Sequence, residues 1–152
     1  MTFFLDIDGV MVPIKSWKSP VLLNDGFPAF SPTATEVLKN VLKNKDRIII
    51  TSSHKDRFNE LEWKQLFAHR GIILNELSRL PSTPVPHSRY DELMQWFSYN
   101  TIDDAWAILD DDSSLNNLPK ALKEHLILTK PMLGLCPEHK DMIEALRCKE
   151  TV

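Results

Sequence analysis

Short apolar runs alternate with amphipathic stretches along this chain. Arg47 to Thr51, with its three consecutive isoleucines, has the continuous β-branched character of a strand buried on both faces. Thr2 to Ile7, Ile72 to Leu77, Ala105 to Asp110 and Leu126 to Leu128 read as four more strands. Helical spacing fills the intervals. Ser31-Pro32 gives a cap and a first-turn proline, and Val37, Leu38, Val41 and Leu42 then share one face. Asp56 to Arg70 predicts a helix burying Phe58, Leu61, Leu66 and Phe67, with Gly71 as its stop. Ser78 to His87, with Pro81, Pro84 and Pro86, reads as a stiff loop. Ser88 can cap a helix carrying Tyr90, Leu93, Met94, Trp96 and Phe97. Pro137 opens a last helix with Met142, Ile143 and Leu146 inward. Strand–helix alternation of this kind implies an α/β sandwich of three layers around a mainly parallel, five-stranded sheet.

The 152 residues, 43% hydrophobic and 26% charged, are expected to form one domain over 1–152, with a small flap at about 11–31. No apolar run approaches the ~20 residues of a membrane span. Met1 to Asp6 has no basic segment, so no export signal and a cytoplasmic location are expected. Cys136 and Cys148 are then expected to be reduced. A net charge of −3 gives no general attraction to nucleic acid or to a membrane surface, so a nucleic-acid partner would rely on local basic groups such as Lys15, Lys18 and Lys55.

In parallel sheets, ligands gather at the carboxyl ends of the strands. The first strand ends in Asp6-Ile7-Asp8-Gly9 and the fourth in Asp110-Asp111-Asp112. Two carboxylates ~4 Å apart repel by ~4 kcal/mol at an effective dielectric near 20. Such a cluster must hold a cation, share a proton or stay solvated. All-oxygen ligation suits Mg2+. Gly9 permits a tight exit from the strand. The second strand ends in Thr51-Ser52-Ser53, whose hydroxyls and backbone N–H groups can bind phosphate oxygens. Arg89, or Lys55 in its place, offers a fixed positive charge.

These residues resemble the haloacid dehalogenase (HAD) superfamily of phosphohydrolases. Its first motif corresponds to Phe3 through Val10, its second to Ile48 through Thr51, its third to Arg89 and its fourth to Ile108 through Asp111. Pro13, Thr51-Ser52-Ser53, Arg89 leading into Trp96, and Gly134-Leu135 further resemble the small HAD-like branch of Swiss Army Knife RNA-repair proteins. The chain departs from that branch at His54, where a tryptophan is expected, and from the superfamily in having Arg for the usual Lys.

The resemblance implies a Rossmann-like fold and a Mg2+-dependent phosphatase. Asp6 would be the nucleophile and Asp8 the general acid and base. Asp6, Asp110, Asp111 and the Asp8 backbone carbonyl would hold the metal, with Asp110 to Asp112 alternatives for the acidic pair. Thr51, Ser52 and Arg89 would bind the phosphoryl group. The interval from Thr51 to Arg89 has no room for a large cap, and the segment from Val10 to Ser31 suffices only for a flap, so an open site is expected. The substrate would be phosphorylated, either a small molecule or a macromolecular end: nucleotide, nucleic-acid end or phosphoprotein. Trp17 and Phe27 either line this site or pack the flap onto the body. The competing reading is a catalytically weak module of the same fold that binds phosphate or protein. A response-regulator receiver fails because no aspartate closes the third strand. The five histidines, His54 included, lack zinc-like spacing with the cysteines and read as core or surface residues.

Overall fold

The strands are β1 (Thr2–Leu5), β2 (Arg47–Ile50), β3 (Glu76–Arg79), β4 (Trp106–Asp110) and β5 (Leu126–Leu128). In this computed structural model, which describes residues 1–83 and 88–149, they lie in the order β3-β2-β1-β4-β5 with every pair parallel. The helices are α1 (Pro32–Val41), α2 (Glu60–His69), α3 (Arg89–Tyr99), the single-turn α4 (Lys120–Lys123) and α5 (Pro137–Lys149). The architecture is the expected Rossmann-like α/β sandwich. Among the described residues no helix is long and apolar enough to cross a membrane.

The period-two alternation of β1 divides the core. Phe3 and Leu5 join α1, α2 and α5 on one face through Leu38, Trp63, Phe67 and Ile143. Phe4 points to the other face, where Leu93, Trp106, Leu115 and Leu118 are buried. Its ring meets Trp96 edge-on at 5.0 Å and lies 5.2 Å from Phe97. Central strands covered on both sides explain why β1 and the isoleucine run carry almost no polar side chain.

Register then sets the function of the sheet edge. Leu5 lies opposite both Ile50 and Leu109. Asp6, Thr51 and Asp110 are therefore the next residues out on three neighbouring strands. The ladder continues there, with Asp6 N–H donating to Leu109 O (3.0 Å) and Thr51 N–H to Leu5 O (2.9 Å).

Three local expectations are corrected. The helix expected over 56–70 is split, because Asn59 forms a reciprocal capping box with Glu62 and starts α2 there, after a 3-10 turn at Lys55–Arg57. That start places Trp63, Leu66 and Phe67 inward and leaves Leu61 64% exposed. The third strand is Glu76–Arg79 rather than 72–77. Ile72 instead completes a Schellman stop: its N–H reaches Phe67 O, Gly71 N–H reaches Ala68 O, and Gly71 has φ +83°. The apolar character of Ile72 belongs to this helix end. Met142, expected inward, is exposed, whereas Ile143 and Leu146 are buried. Residues 84–87 of the proline-rich loop lie outside the described residues.

Phe4→Ala removes the ring on which Trp96 and Phe97 pack. The expected cost is about 3–5 kcal/mol, read as a lower urea midpoint at unchanged slope. A loss under about 1 kcal/mol would show that the α3 face is not a packed core.

Candidate active site

The chain leaves β1 through a tight turn in which Ile7 O accepts the N–H groups of Val10, Met11 and Val12. Gly9 sits in it at φ +80°, and a Cβ there would fall 2.1 Å from Asp111 Oδ2. The position must be glycine for Asp111 to fold over the backbone. Two later segments brace the turn. Thr129 Oγ1 donates to Gly9 O (2.7 Å), and Leu135 N–H donates to Val10 O (2.8 Å).

Asp6, Asp110 and Asp111 each present a carboxylate oxygen within 4.8 Å of the others. Arg89, from the first turn of α3, reaches into the group. Its Nη1 donates to Asp110 Oδ2 (2.5 Å) and lies 3.5 Å from Asp6 Oδ2. The sequence left Lys55 as a rival for this position. Lys55 is buried elsewhere, its Nζ donating to Glu92 (2.7 Å). Asp112 also stands apart. Its carboxylate caps the following 3-10 turn through Ser114 N–H, and its own N–H supports Asp110 Oδ1 (3.0 Å).

Burial dominates the electrostatics. It pushes Asp6 up to about 6 despite Arg89 and the Ile7 N–H, which both favour the charged form. Asp110 is likewise raised to about 6 by burial and by the charge of Asp6, against the pull of Arg89. Asp111 is raised for the same first reason. Arg89 is itself desolvated, but Asp110 and Asp6 more than offset that and hold it above its usual value. One guanidinium against three carboxylates leaves negative charge in excess. A hard divalent cation with oxygen preference fits this donor set, which contains neither nitrogen nor sulfur.

Beside the cluster, the Thr51 side-chain hydroxyl is fully buried and has no hydrogen-bond partner among the described residues. Buried polar groups are rarely left so, and an orphan marks a place where a ligand oxygen is accommodated. Ser52 is buried as well, but its Oγ accepts His54 N–H (3.1 Å) and shapes the turn after β2.

Asp8 stands on the outer side of this group. Its carboxylate meets His54 Nε2 at 2.9 Å. It also lines an open cleft of about 270 Å³ whose other wall is Pro13, Lys15, Lys18 and Pro20. No domain covers the opening among the described residues. The flap folds down at Phe27, which is fully buried against His54, Phe58 and Trp63. Arg70 clamps it, donating to Phe27 O and Pro28 O and pairing with Asp25. Phe27 is thus a packing residue, while Trp17 stands 68% exposed.

Residues 2–139 match the family described as HAD domain in Swiss Army Knife RNA repair proteins. The chain belongs to this HAD family. No curated protein matches it. Membership points to a HAD-type hydrolase, and Asp6, Thr51, Arg89 and Asp110 stand together at the edge where the HAD motifs read from the sequence placed them. Two contributors escaped that reading. Thr129 gives no sequence signal, since its partner Gly9 is 120 residues away. His54 reads with the other histidines as a core or surface residue; its place four residues beyond β2 is the available clue.

The raised carboxyls fix a pH signature. Asp6 and Asp110 bind protons more tightly folded, at about 6, than at their unfolded 3.8. Between these values the folded state holds more protons, so their contribution to stability is full below about 4 and lost as pH rises through about 6. Asp110→Asn removes one share. In EDTA, its melting temperature should gain on wild type between pH 4 and pH 7. Added Mg2+ at pH 7 should then raise the wild-type value and leave the variant's nearly unmoved. Parallel curves for the two proteins would contradict this electrostatic account.

Proposed function

We propose that the chain is a Mg2+-dependent phosphatase that hydrolyses phosphomonoesters through an aspartyl-phosphate on Asp6. The observation that carries this reading is a carboxylate, a guanidinium and a buried hydroxyl without a partner among the described residues, side by side: Asp6, with Arg89 3.5 Å away and Thr51 on the adjoining strand end. A phosphoryl group accepts hydrogen bonds and carries negative charge, so it suits both Arg89 and Thr51.

Asp6 attacks phosphorus from the floor of the site. Ile7 N–H, donating to Asp6 Oδ1 (2.8 Å), keeps the carboxylate aimed outward. Arg89 and Thr51 hold the non-bridging oxygens and offset the repulsion between a carboxylate and a phosphate. Asp8 gives a proton to the leaving oxygen, then takes one from the water that releases phosphate from Asp6. Asp6, Asp110, Asp111 and the Asp8 backbone carbonyl are the groups that would hold Mg2+. When bound, Mg2+ supplies neutralisation and orientation of the phosphoryl oxygens.

The cleft beside Asp8 is open and edged by Lys15 and Lys18, neither of which has an acidic partner among the described residues. An open, locally basic mouth suits a phosphate borne by a nucleotide or a larger chain. The family's description, RNA repair proteins, favours a nucleic-acid end over a phosphoprotein.

The test is hydrolysis of an aryl phosphate and of a terminally phosphorylated oligoribonucleotide. Both should require Mg2+ and stop with EDTA, and Asp6→Asn should abolish both. Binding of beryllofluoride without turnover on any substrate would instead favour the phosphate-binding module. Thr51→Val separates function from folding. It deletes a hydroxyl that has no partner among the described residues, so the melting temperature should not fall. Loss of one phosphoryl contact should lower kcat/KM about tenfold to a hundredfold, or roughly 1.4–2.7 kcal/mol. Unchanged kcat/KM would remove Thr51 from the phosphate site.

A further inference from the structure

We infer that His54 is a positioning residue that selects which oxygen of Asp8 delivers the proton to the leaving group. The inference rests on the general-acid reading of Asp8 given above. Asp8 is exposed enough to rotate, at 43% of its side chain, and among the described residues only His54 hydrogen-bonds its carboxylate. A carboxylate can only accept, so His54 Nε2–H donates to Oδ2. Oδ2 is thereby engaged by the ring, and Oδ1 is the oxygen without a hydrogen-bond partner among the described residues. The torsion of the carboxyl is fixed by that contact, and Oδ1 is the oxygen that delivers the proton.

His54 is suited to this because it is itself held on two sides. Its backbone N–H is tied to Ser52 Oγ (3.1 Å). Its ring meets the edge of Phe27 at 5.6 Å and 90°. Phe27 belongs to the flap and is locked between Phe58 and Trp63, with the Arg57 guanidinium 5.5 Å from its ring centre. The flap thus reaches the chemistry without covering it, through Phe27 to His54 to Asp8. In the step concerned, the bond from phosphorus to the leaving oxygen breaks, and its electron pair stays on that oxygen. The oxygen takes the proton from Asp8 Oδ1, and the O–H electron pair remains on Asp8. A leaving group that departs as a stable anion needs no such proton.

That difference provides the test. With Mg2+ present, kcat/KM is measured for an alkyl phosphate and for 2,4-dinitrophenyl phosphate in wild type, His54→Ala, His54→Gln and Asp8→Asn. General-acid assistance is worth about 10²- to 10⁴-fold, and misaiming the acid should forfeit part of it. His54→Ala should lose about tenfold or more on the alkyl ester and less than about twofold on the dinitrophenyl ester, as Asp8→Asn does more severely. His54→Gln keeps an N–H donor and should recover much of the alkyl activity; it also serves if the alanine variant fails to fold. An unchanged ratio of the two substrates in the His54 variants, whether both rates fall together or neither falls, overturns the inference. Full alkyl activity in Asp8→Asn would instead refute the acid role of Asp8, and no wild-type turnover would refute the phosphatase reading itself.

Discussion

Three carboxylates share a water-poor corner with one guanidinium, and most of this site follows from how that imbalance is borne. Asp6, Asp110 and Asp111 would repel one another by several kcal/mol at these separations. Arg89 relieves part of it by lying against Asp110 and near Asp6. The remainder appears as proton affinity, with Asp6 and Asp110 raised to about 6. A group poised in this way is expensive for folding and available for a cation or a phosphate. Functional clusters are commonly unstable for this reason, because the interactions that would satisfy them are reserved for a ligand.

The imbalance persists because the backbone beneath it cannot yield. Leu5 pairs in register with Ile50 on one side and Leu109 on the other, and both core clusters press on this central strand. A one-residue slip would turn every side chain of β1 to the wrong face. Asp6, Thr51 and Asp110 are held level by the same apolar packing that stabilises the fold. The chain then leaves β1 through Gly9, where only a missing Cβ lets Asp111 close in. Thr129 and Leu135 fix that turn from behind.

How much of this could be read from the chain depended on whether the signal was local. The three isoleucines, the capping serines Ser31 and Ser88, and the Asp-x-Asp-Gly turn each announce themselves within a few residues, and the structure bears out the strands and caps they predict. Register supplied the convergence of Asp6 with Asp110, because parallel strands bring their carboxyl ends to one edge. Competing local chemistry defeated two boundaries. The Asn59 capping box overrode helical periodicity at 56–58, and the Schellman stop used Ile72 in place of a strand. Side-chain partners across long separations gave no signal at all. Neither the burial of Lys55 against Glu92 nor the brace from Thr129 to Gly9 has a pattern in sequence.

The flap illustrates what such long-range contacts can add. It is too small to enclose a substrate, and its exposed Trp17 and lysines leave the cleft open. Yet it is firmly anchored, through Arg70 to Asp25 and the carbonyls of Phe27 and Pro28. Anchoring of that strength, with a bidentate ion pair and a buried ring, is more than a mobile cover would need. It is what a support needs when it must hold a half-exposed side chain in one orientation. Asp8 is such a side chain, and among the described residues its carboxylate is held by His54, whose ring is backed by Phe27. On the proposed reading, an open site combines free access for a bulky phosphorylated chain with a fixed proton donor, because aim comes from beneath the flap rather than from closure above the substrate.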